Sequence, residues 1–440
     1  MVRWKDGNLS ASEINEKISA LGCGLSNSKE LKVSDVCVLV LLNSEKEIKR
    51  LCKDVHILEA GYSINPLVDL NGMHLRDVND ILRTLSIEEK LTDDDLMKLF
   101  VTLLCLEVPE REAIAAQELK IIEHGISEII ENSLCTTFGS YSSPVRRNGY
   151  SDIDLAVSSI PKDSCDIRPL RMIIEDPKCL IEKPLTYSEL VSFPAEEIIK
   201  AIFKCLSDNE LFREKFEMRT LLVRTPIVVF KSRESPEMKL SYDVSVNNQI
   251  SVEKSNILSE FISKDSSNGN KMRHLAMFFI HWSRTNKLLG GVYSDEKVEK
   301  KLKFNSYILH HMIIHFVQTA ANVVLLNTSE KPENRVMTYN FDDIFHGYAG
   351  CLRELFSYYL NFDYENMGIF GSQVIEKSKL AVLQNVEISP FMLVDPLDVT
   401  HNISDHVFPE GIQLLQKLMK RSLEKMTKRD FNISDLLPIA

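Results

Sequence analysis

Phe138-Gly139-Ser140, a short polar loop, and then Ser151-Asp152-Ile153-Asp154-Leu155-Ala156-Val157 form the stretch whose pattern decides the fold. Side chains alternate along a strand, so Ile153, Leu155 and Val157 share one face and Asp152 and Asp154 share the other. Two carboxylates side by side on a polar face can grip the same divalent ion. A Gly-Ser turn shortly before them can hold a triphosphate, whose oxygens are the ligands Mg²⁺ prefers alongside carboxylates.

A third carboxylate fits the same frame. Leu240, Tyr242, Val244 and Val246 alternate beyond the polar turn Ser232 to Glu237, which places Asp243 with Ser241 and Ser245 on the opposite face. Between the two strands lie a helical span near Ala195 to Phe216 and an apolar stretch from Leu221 to Phe230. Pro226 interrupts that stretch and predicts an edge or bulge in a single strand. Three aspartates on the polar faces of adjoining strands, converging on one site, suit a two-metal mechanism.

Outward from this centre the signals are helical. Thr92 followed by Asp95 reads as a helix start before Leu96, Leu99, Phe100, Leu103 and Leu104. Asp93, Asp94 and Asp95 are explained by the preference of acids for a helix N-terminus, although a metal site is the sharper alternative. Pro109 opens a long helix with Ile114, Leu119, Ile122, Ile126 and Ile129 at helical spacing. Ser263 to Asn270 is a loop by composition, and the chain beyond it is mainly helical through Leu360. Ser294 to Lys303 is charge-rich and reads as a solvated loop or helix end.

The 440 residues exceed one typical domain, and their ordinary apolar content can bury a sizeable core. The longest apolar run near the start, Val36 to Leu42, is too short to span a bilayer, and Lys5, Asp6, Glu13 and Glu16 break any signal-peptide pattern. Nine dispersed cysteines without a Cys-x-x-Cys pair argue against zinc knuckles and disulfide scaffolds. A soluble, cytoplasmic protein is expected, RNA granules included among its sites. A net charge of −11 argues against tight electrostatic binding of nucleic acid by the whole surface, though not against local basic patches.

Taken in order, these motifs resemble the template-independent RNA terminal nucleotidyltransferases, the terminal uridylyltransferases and cytoplasmic-type poly(A) polymerases of the DNA polymerase β-like superfamily. The resemblance runs from about Pro109 to about Ser404. It rests on the two motifs above with Arg224-Thr225-Pro226-Ile227-Val228 and Tyr242-Asp243-Val244-Ser245-Val246-Asn247-Asn248. His281-Trp282-Ser283-Arg284, Asn305-Ser306-Tyr307 and Asp395-Pro396-Leu397-Asp398-Val399-Thr400-His401-Asn402 complete it.

What the resemblance implies is an α+β architecture. Residues 109–262 would form the nucleotidyltransferase domain with a small mixed sheet. Residues 263–440 would form the helical central (PAP-associated) domain, with the base-recognition segment at 395–404 and the nucleotide cleft between the two. Residues 1–108 would be a mainly helical extension, and the helix 109–132 would pack with the central domain. Asp152, Asp154 and Asp243 would hold two Mg²⁺ or Mn²⁺ ions, with Asp243 helping to deprotonate the RNA 3′-hydroxyl. Gly139 and Ser140 would cradle the triphosphate and Ser306 would touch phosphate. Tyr307 would stack on the base beside Asp395, Asp398 and His401.

Each of these residues has a plainer reading. Ser306 can be an ordinary helix start and Tyr307 and Trp282 core aromatics; His311 and His315, one helical turn apart, have the spacing of a metal pair, but without a Glu-x-x-His pattern or nearby cysteines the metal reading is set aside. Lys417, Lys420, Arg421, Lys425, Lys428 and Arg429 read as a solvated helix face before an RNA contact.

Two departures bear on nucleotide choice. Ile280 stands where relatives carry a phosphate-binding Lys, leaving that contact to Arg284, aided by Lys287. Lys254 stands at the position of a base-side Asn, with Asn256 as a substitute if the turn is shifted. His401 occupies a place where uridylyltransferase-type relatives have a histidine. The expected activity is untemplated addition to an RNA 3′ end from UTP, with GTP second (poly(UG)-type tails) and ATP poorer. An ATP-using poly(A) polymerase and a catalytically weak scaffold in an RNA-silencing or RNA-processing complex are the alternatives. With no dedicated RNA-gripping module, recruitment by a protein partner through the N-terminal region is expected.

Overall fold

The computed structural model describes residues 2–4, 30–34, 37–40, 62–64, 82, 91–105, 109–146, 152–161, 167–234, 236, 240–263, 270–289, 304–321 and 340–437. Ser151, most of the polar loop after Ser263 and the charge-rich stretch at 294–303 lie outside them.

The described residues before Leu82 are strands β1 (Val2–Trp4), β2 (Glu30–Ser34), β3 (Cys37–Val40) and β4 (Tyr62–Ile64), in an antiparallel sheet of order β2-β3-β1-β4. This departs from the helical extension expected there. Cys37-Val38-Leu39-Val40 lies within the short apolar run Val36 to Leu42, rich in β-branched residues and bounded by Asp35 and Asn43, which suits a strand. The remainder of that segment lies outside the described residues.

Helix α1 (Asp93–Leu104) starts where Thr92 predicts. The Thr92 hydroxyl accepts from the Asp95 N–H at 3.2 Å, and the three aspartates occupy the first turn. Its face of Leu96, Met97, Leu99, Phe100, Leu103 and Leu104 is buried in the helical core. There it meets α5 (Lys271–Thr285) and α7 (Gly347–Leu360), with Phe100 edge-on to Phe278 at 5.4 Å. Trp282, fully buried and stacked on Phe279, is core as its apolar neighbours imply.

Helix α2 (Pro109–Ile129) corrects the expectation that it joins the helical domain. Ala115, Ile122, Ile126 and Ile129 are buried against Ile153, Leu155 and Val157 of the catalytic sheet. Polar bonds hold it there as well. Glu118 accepts from the Tyr242 hydroxyl at 2.7 Å and the Ser232 hydroxyl at 2.6 Å. The apolar stripe follows the nearest apolar sheet face, so α1 rather than α2 packs with the helical core.

That sheet has five strands in the order β5-β6-β9-β8-β7. They are β5 (Ser133–Phe138), β6 (Ile153–Ser159), β7 (Phe216–Leu221), β8 (Ile227–Ser232) and β9 (Ser241–Val246). All pairs are antiparallel except β6 with β9. Pro226 lies in the turn of a β7-β8 hairpin instead of within one strand, and Leu221 pairs with Ile227 across that turn. Proline lacks a ladder donor, so the chain reverses at it. α2 and α3 (Ala195–Asp208) cover one sheet face through an apolar core. The other face carries the aspartates.

Apart from short helices of six residues or fewer, the other helices among the described residues are α4 (Gln249–Ser263), α6 (Ser306–Ala321), α8 (Lys377–Gln384) and α9 (Pro409–Lys425). A small sheet of β10 (Met367–Phe370), β11 (Gln373–Glu376) and β12 (Leu393–Val394) delivers the chain to Asp395. No helix among the described residues is long and apolar enough to cross a membrane.

Candidate active site

Strand register builds the acidic wall. Asp154 of β6 lies directly beside Asp243 of the parallel strand β9, about 4.8 Å away by the ordinary strand spacing. Ile153, Leu155 and Val157 are fully buried on the far side, as the alternation predicts, while Asp154 is half-buried and Asp152 exposed. Burial, then Asp243, then Asp152 push the Asp154 carboxyl well above the usual range. Asp152 is also raised, by its crowded surroundings, against the opposing pull of Arg284, Arg111 and Lys231.

Among the described residues no three His, Cys, Asp or Glu side chains are gathered closely enough to form a ready metal cluster. The three aspartates share one cavity wall but stop short of the tight convergence expected. The donor set nevertheless fits hard divalent cations. It offers carboxylate oxygens only, and Asp154 carries unfavourable charge that such an ion would neutralise. Gly139, at φ +71°, is shaped to this arrangement, because a Cβ there would collide with the Asp154 carboxylate. Its N–H donates to the Ser255 hydroxyl of α4 at 2.9 Å, which fixes the turn before Ser140.

A cavity of about 700 Å³ runs from this wall to the helical half of the molecule. Gly139, Ser140, Asp152, Asp154, Asp243, Arg284, Ser306, Tyr307, Asp398 and His401 all line it. Asp395 lies beneath the lining, fully buried, and accepts from the Tyr307 hydroxyl at 3.2 Å. Ser306 opens α6, whose first turn is capped by Asn305 accepting from the Ile308 N–H at 2.9 Å. Ile280 and Arg284 lie one turn apart on α5, and both line the cavity. Lys287 does not; it sits exposed in a left-handed turn after the helix. His315 is engaged by the Gly371 carbonyl and the Tyr358 hydroxyl, at 2.9 and 2.7 Å.

The base-side end is a loop from Asp395 to His401, closed by the Val394–Asn402 bridge and by the Asp395 N–H donating to the His401 carbonyl at 2.9 Å. Two cations brace it from the side of the five-stranded sheet. Lys254 of α4 is 2.6 Å from Asp395, and Arg224 of the β7-β8 turn is 2.8 Å from Asp398. Sequence reading had Arg224 in a motif without a role and Lys254 only as a departure. Asn256, the proposed substitute, is exposed and outside the lining. Burial first, then Arg224 and Lys254, hold the His401 imidazole below its ordinary pKa, so the ring is neutral at pH 7. The exposed Lys417, Lys420, Arg421, Lys428 and Arg429 form a solvated face on and after α9.

A mixed sheet with three aspartates at one end of a nucleotide-sized cleft and an aromatic-acidic pocket at the other defines a polymerase β-like nucleotidyltransferase fold. Residues 93–263 match the family described as poly(A) RNA polymerase, mitochondrial-like, central palm domain. The chain is 44% identical over 431 residues to the U6 snRNA-specific terminal uridylyltransferase of Caenorhabditis elegans, across 95% of this chain and 64% of that relative. It thus spans about two thirds, slightly less, of the relative's length. Among solved structures it resembles mtPAP in complex with GTP, with TM-score 0.62 and 15% identity over 98% of this chain and 94% of that one. It also resembles the Cid1 poly(U) polymerase, with TM-score 0.56 and 16% identity over 78% of this chain and 98% of that one. Residues 93–263 thus match that central palm domain, and the fold is the one seen in the solved mtPAP and Cid1 structures.

Proposed function

We propose that this chain adds ribonucleotides to an RNA 3′ end without a template, with UTP as the favoured substrate, GTP second and ATP poorer. The observation that carries the reading is the register of Asp154 against Asp243, with Asp152 two residues earlier, on one wall of a cavity whose other end holds Tyr307, Asp398 and His401. The similarity to a terminal uridylyltransferase supports it.

Asp152 and Asp154 would hold two Mg²⁺ ions, and Asp243 would share the one beside the primer. Bound there, the ions supply an acidified 3′-hydroxyl and neutralise the triphosphate. The residues perform the rest. Asp243 receives the hydroxyl proton at its carboxylate. The Gly139-Ser140 turn, Ser306 and Arg284 hold the triphosphate in line, and the guanidinium takes the place of the lysine that Ile280 removes. Tyr307 stacks on the base. Neutral His401 crowds a purine and can hydrogen-bond a uracil carbonyl, while Asp398 accepts a base N–H. One such contact left unpaired costs about 1–3 kcal/mol, enough for tenfold discrimination or more.

The test is extension of an RNA primer by the full chain with Mg²⁺ and each NTP separately, then sequencing of tails made from an equimolar mixture. Uridylate-rich tails containing guanylate are expected, and Asp152→Ala or Asp243→Ala should reduce extension to background with folding retained. Predominantly adenylate tails would overturn the nucleotide assignment. Absence of extension with any nucleotide would favour a scaffold.

A further inference from the structure

We propose that Lys254 is a specificity-determining residue that reads the keto oxygen of the incoming base. It would select the imide edge of uracil and guanine against the amino edge of cytosine and adenine. The proposal rests on the nucleotidyltransferase reading of the same cavity and adds to it the chemical criterion of choice.

Four observations carry it. Lys254 lines the cavity, yet its side chain is only 12% exposed, so its ammonium meets few waters. Its anchor, Asp395, is fully buried and has three of its roughly four acceptor sites filled. One carboxylate oxygen takes Lys254 at 2.6 Å and the Tyr307 hydroxyl at 3.2 Å, and the other takes the Leu397 N–H at 2.9 Å. Asp395 therefore fixes a charged lysine in place and has little left to offer a ligand. Third, the anchor uses one of three ammonium donors, and the next carboxylate, Asp398, lies 3.9 Å away, beyond hydrogen-bond reach. Fourth, the ammonium is 5.9 Å from the centre of the Tyr307 ring, so a base laid against that ring brings its edge within reach of Lys254.

Asp398 completes the pattern. It takes Arg224 at 2.8 Å and the Thr400 hydroxyl at 3.0 Å, and a carboxylate has about four acceptor sites, so capacity remains for a base N–H. A fixed cationic donor next to an anionic acceptor is complementary to C=O beside N–H. Uracil presents that pair at O4 and N3, guanine at O6 and N1. Cytosine and adenine present the reverse, an amine beside a bare ring nitrogen, which sets N–H against ammonium and a lone pair against carboxylate. Mismatched buried polar groups of this kind discriminate by about tenfold or more.

The informative comparisons are between bases of equal size, UTP against CTP and GTP against ATP. Single-nucleotide extension by the full chain should favour the keto member of each pair at least about tenfold. Lys254→Met, which keeps the stem and removes the donors, should bring both ratios towards one, and Lys254→Arg should restore them. A residue that merely props up Asp395 would lower all four rates together and leave the ratios alone, which would overturn the proposal. Equal use of UTP and CTP by the unaltered protein would also overturn it. Calorimetric binding of the four NTPs with Mg²⁺ separates this from the activity. Keto-selective binding lost in Lys254→Met, without extension, would sink the nucleotidyltransferase reading and uphold the base criterion. Unselective binding would sink the criterion.

Discussion

Gly139 shows how one residue without a side chain governs the acidic wall. Its backbone is left-handed, and the space its Cβ would need is filled by the Asp154 carboxylate. Gly139→Ala therefore has two costs. The backbone conformation is disfavoured by about 1–2 kcal/mol for an L-residue, and Asp154 must move from its place beside Asp243. A shift near 1 Å at a reacting centre can cost about a hundredfold in rate. Primer extension should fall by about that factor while the melting temperature falls by only a few degrees; a variant with unimpaired extension would show that the turn does not position Asp154. This residue was legible in the sequence because glycine, serine and spaced aspartates mark each other over a short distance. Lys254 and Arg224 were not. Their partners Asp395 and Asp398 lie far along the chain, and nothing in local spacing signals an ion pair across 174 residues.

At the scale of elements, the short helix Tyr187–Ser192 buttresses the strand that carries Asp243. Asn247, just past β9, donates its side-chain amide to the Leu190 carbonyl at 2.6 Å, and its N–H donates to the Val157 carbonyl of β6 at 2.9 Å. The helix start is held by a capping box between Thr186 and Glu189. Glu189 is fully buried and takes the Arg168 guanidinium on both oxygens, at 2.7 and 2.9 Å. Burial would raise its pKa, but Arg168 and the backbone N–H groups of Thr186 and Arg168 outweigh it and hold the carboxyl at about 2. Its folded pKa is thus below the unfolded value near 4.5, so its stabilisation is complete above that value and lost as pH falls towards about 2. Glu189→Gln should cost about 1–3 kcal/mol in urea unfolding at pH 7, and the gap from the unaltered protein should narrow at pH 3. A gap independent of pH would mean the carboxylate charge does not stabilise the fold. The same scale shows the limit of pattern reading. Alternation identified β6 and β9 and their faces, whereas periodicity gave α2 an apolar stripe without saying which core would receive it. The Leu221–Phe230 run likewise concealed a hairpin, because its first half is the apolar-looking turn from Leu222 to Pro226, while the partner strand Phe216–Leu221 mixes polar and apolar residues.

Across the whole molecule, two apolar cores lie on either side of the cleft, one behind the catalytic sheet and one among α1, α5, α6, α7 and α9. Helix α4 runs between the acidic wall and the Asp395–His401 loop. Its residue Lys254 reaches the base loop, and the next residue, Ser255, holds the Gly139 N–H of the phosphate turn. Both contacts spring from adjacent positions of one helix, so a shift of α4 would move both ends of the cavity together, as a lever with two arms. A base that displaces Lys254 would tilt the other arm and carry the triphosphate out of line with the primer. Fidelity would then reside in the speed of transfer more than in the strength of binding. For UTP against ATP, kcat should differ by a larger factor than KM. Ser255→Ala, which cuts one arm, should reduce the difference in kcat while leaving the order of binding intact; an unchanged kcat ratio would show that the two ends act separately. The helix would make a wrong nucleotide slow before it makes it weak.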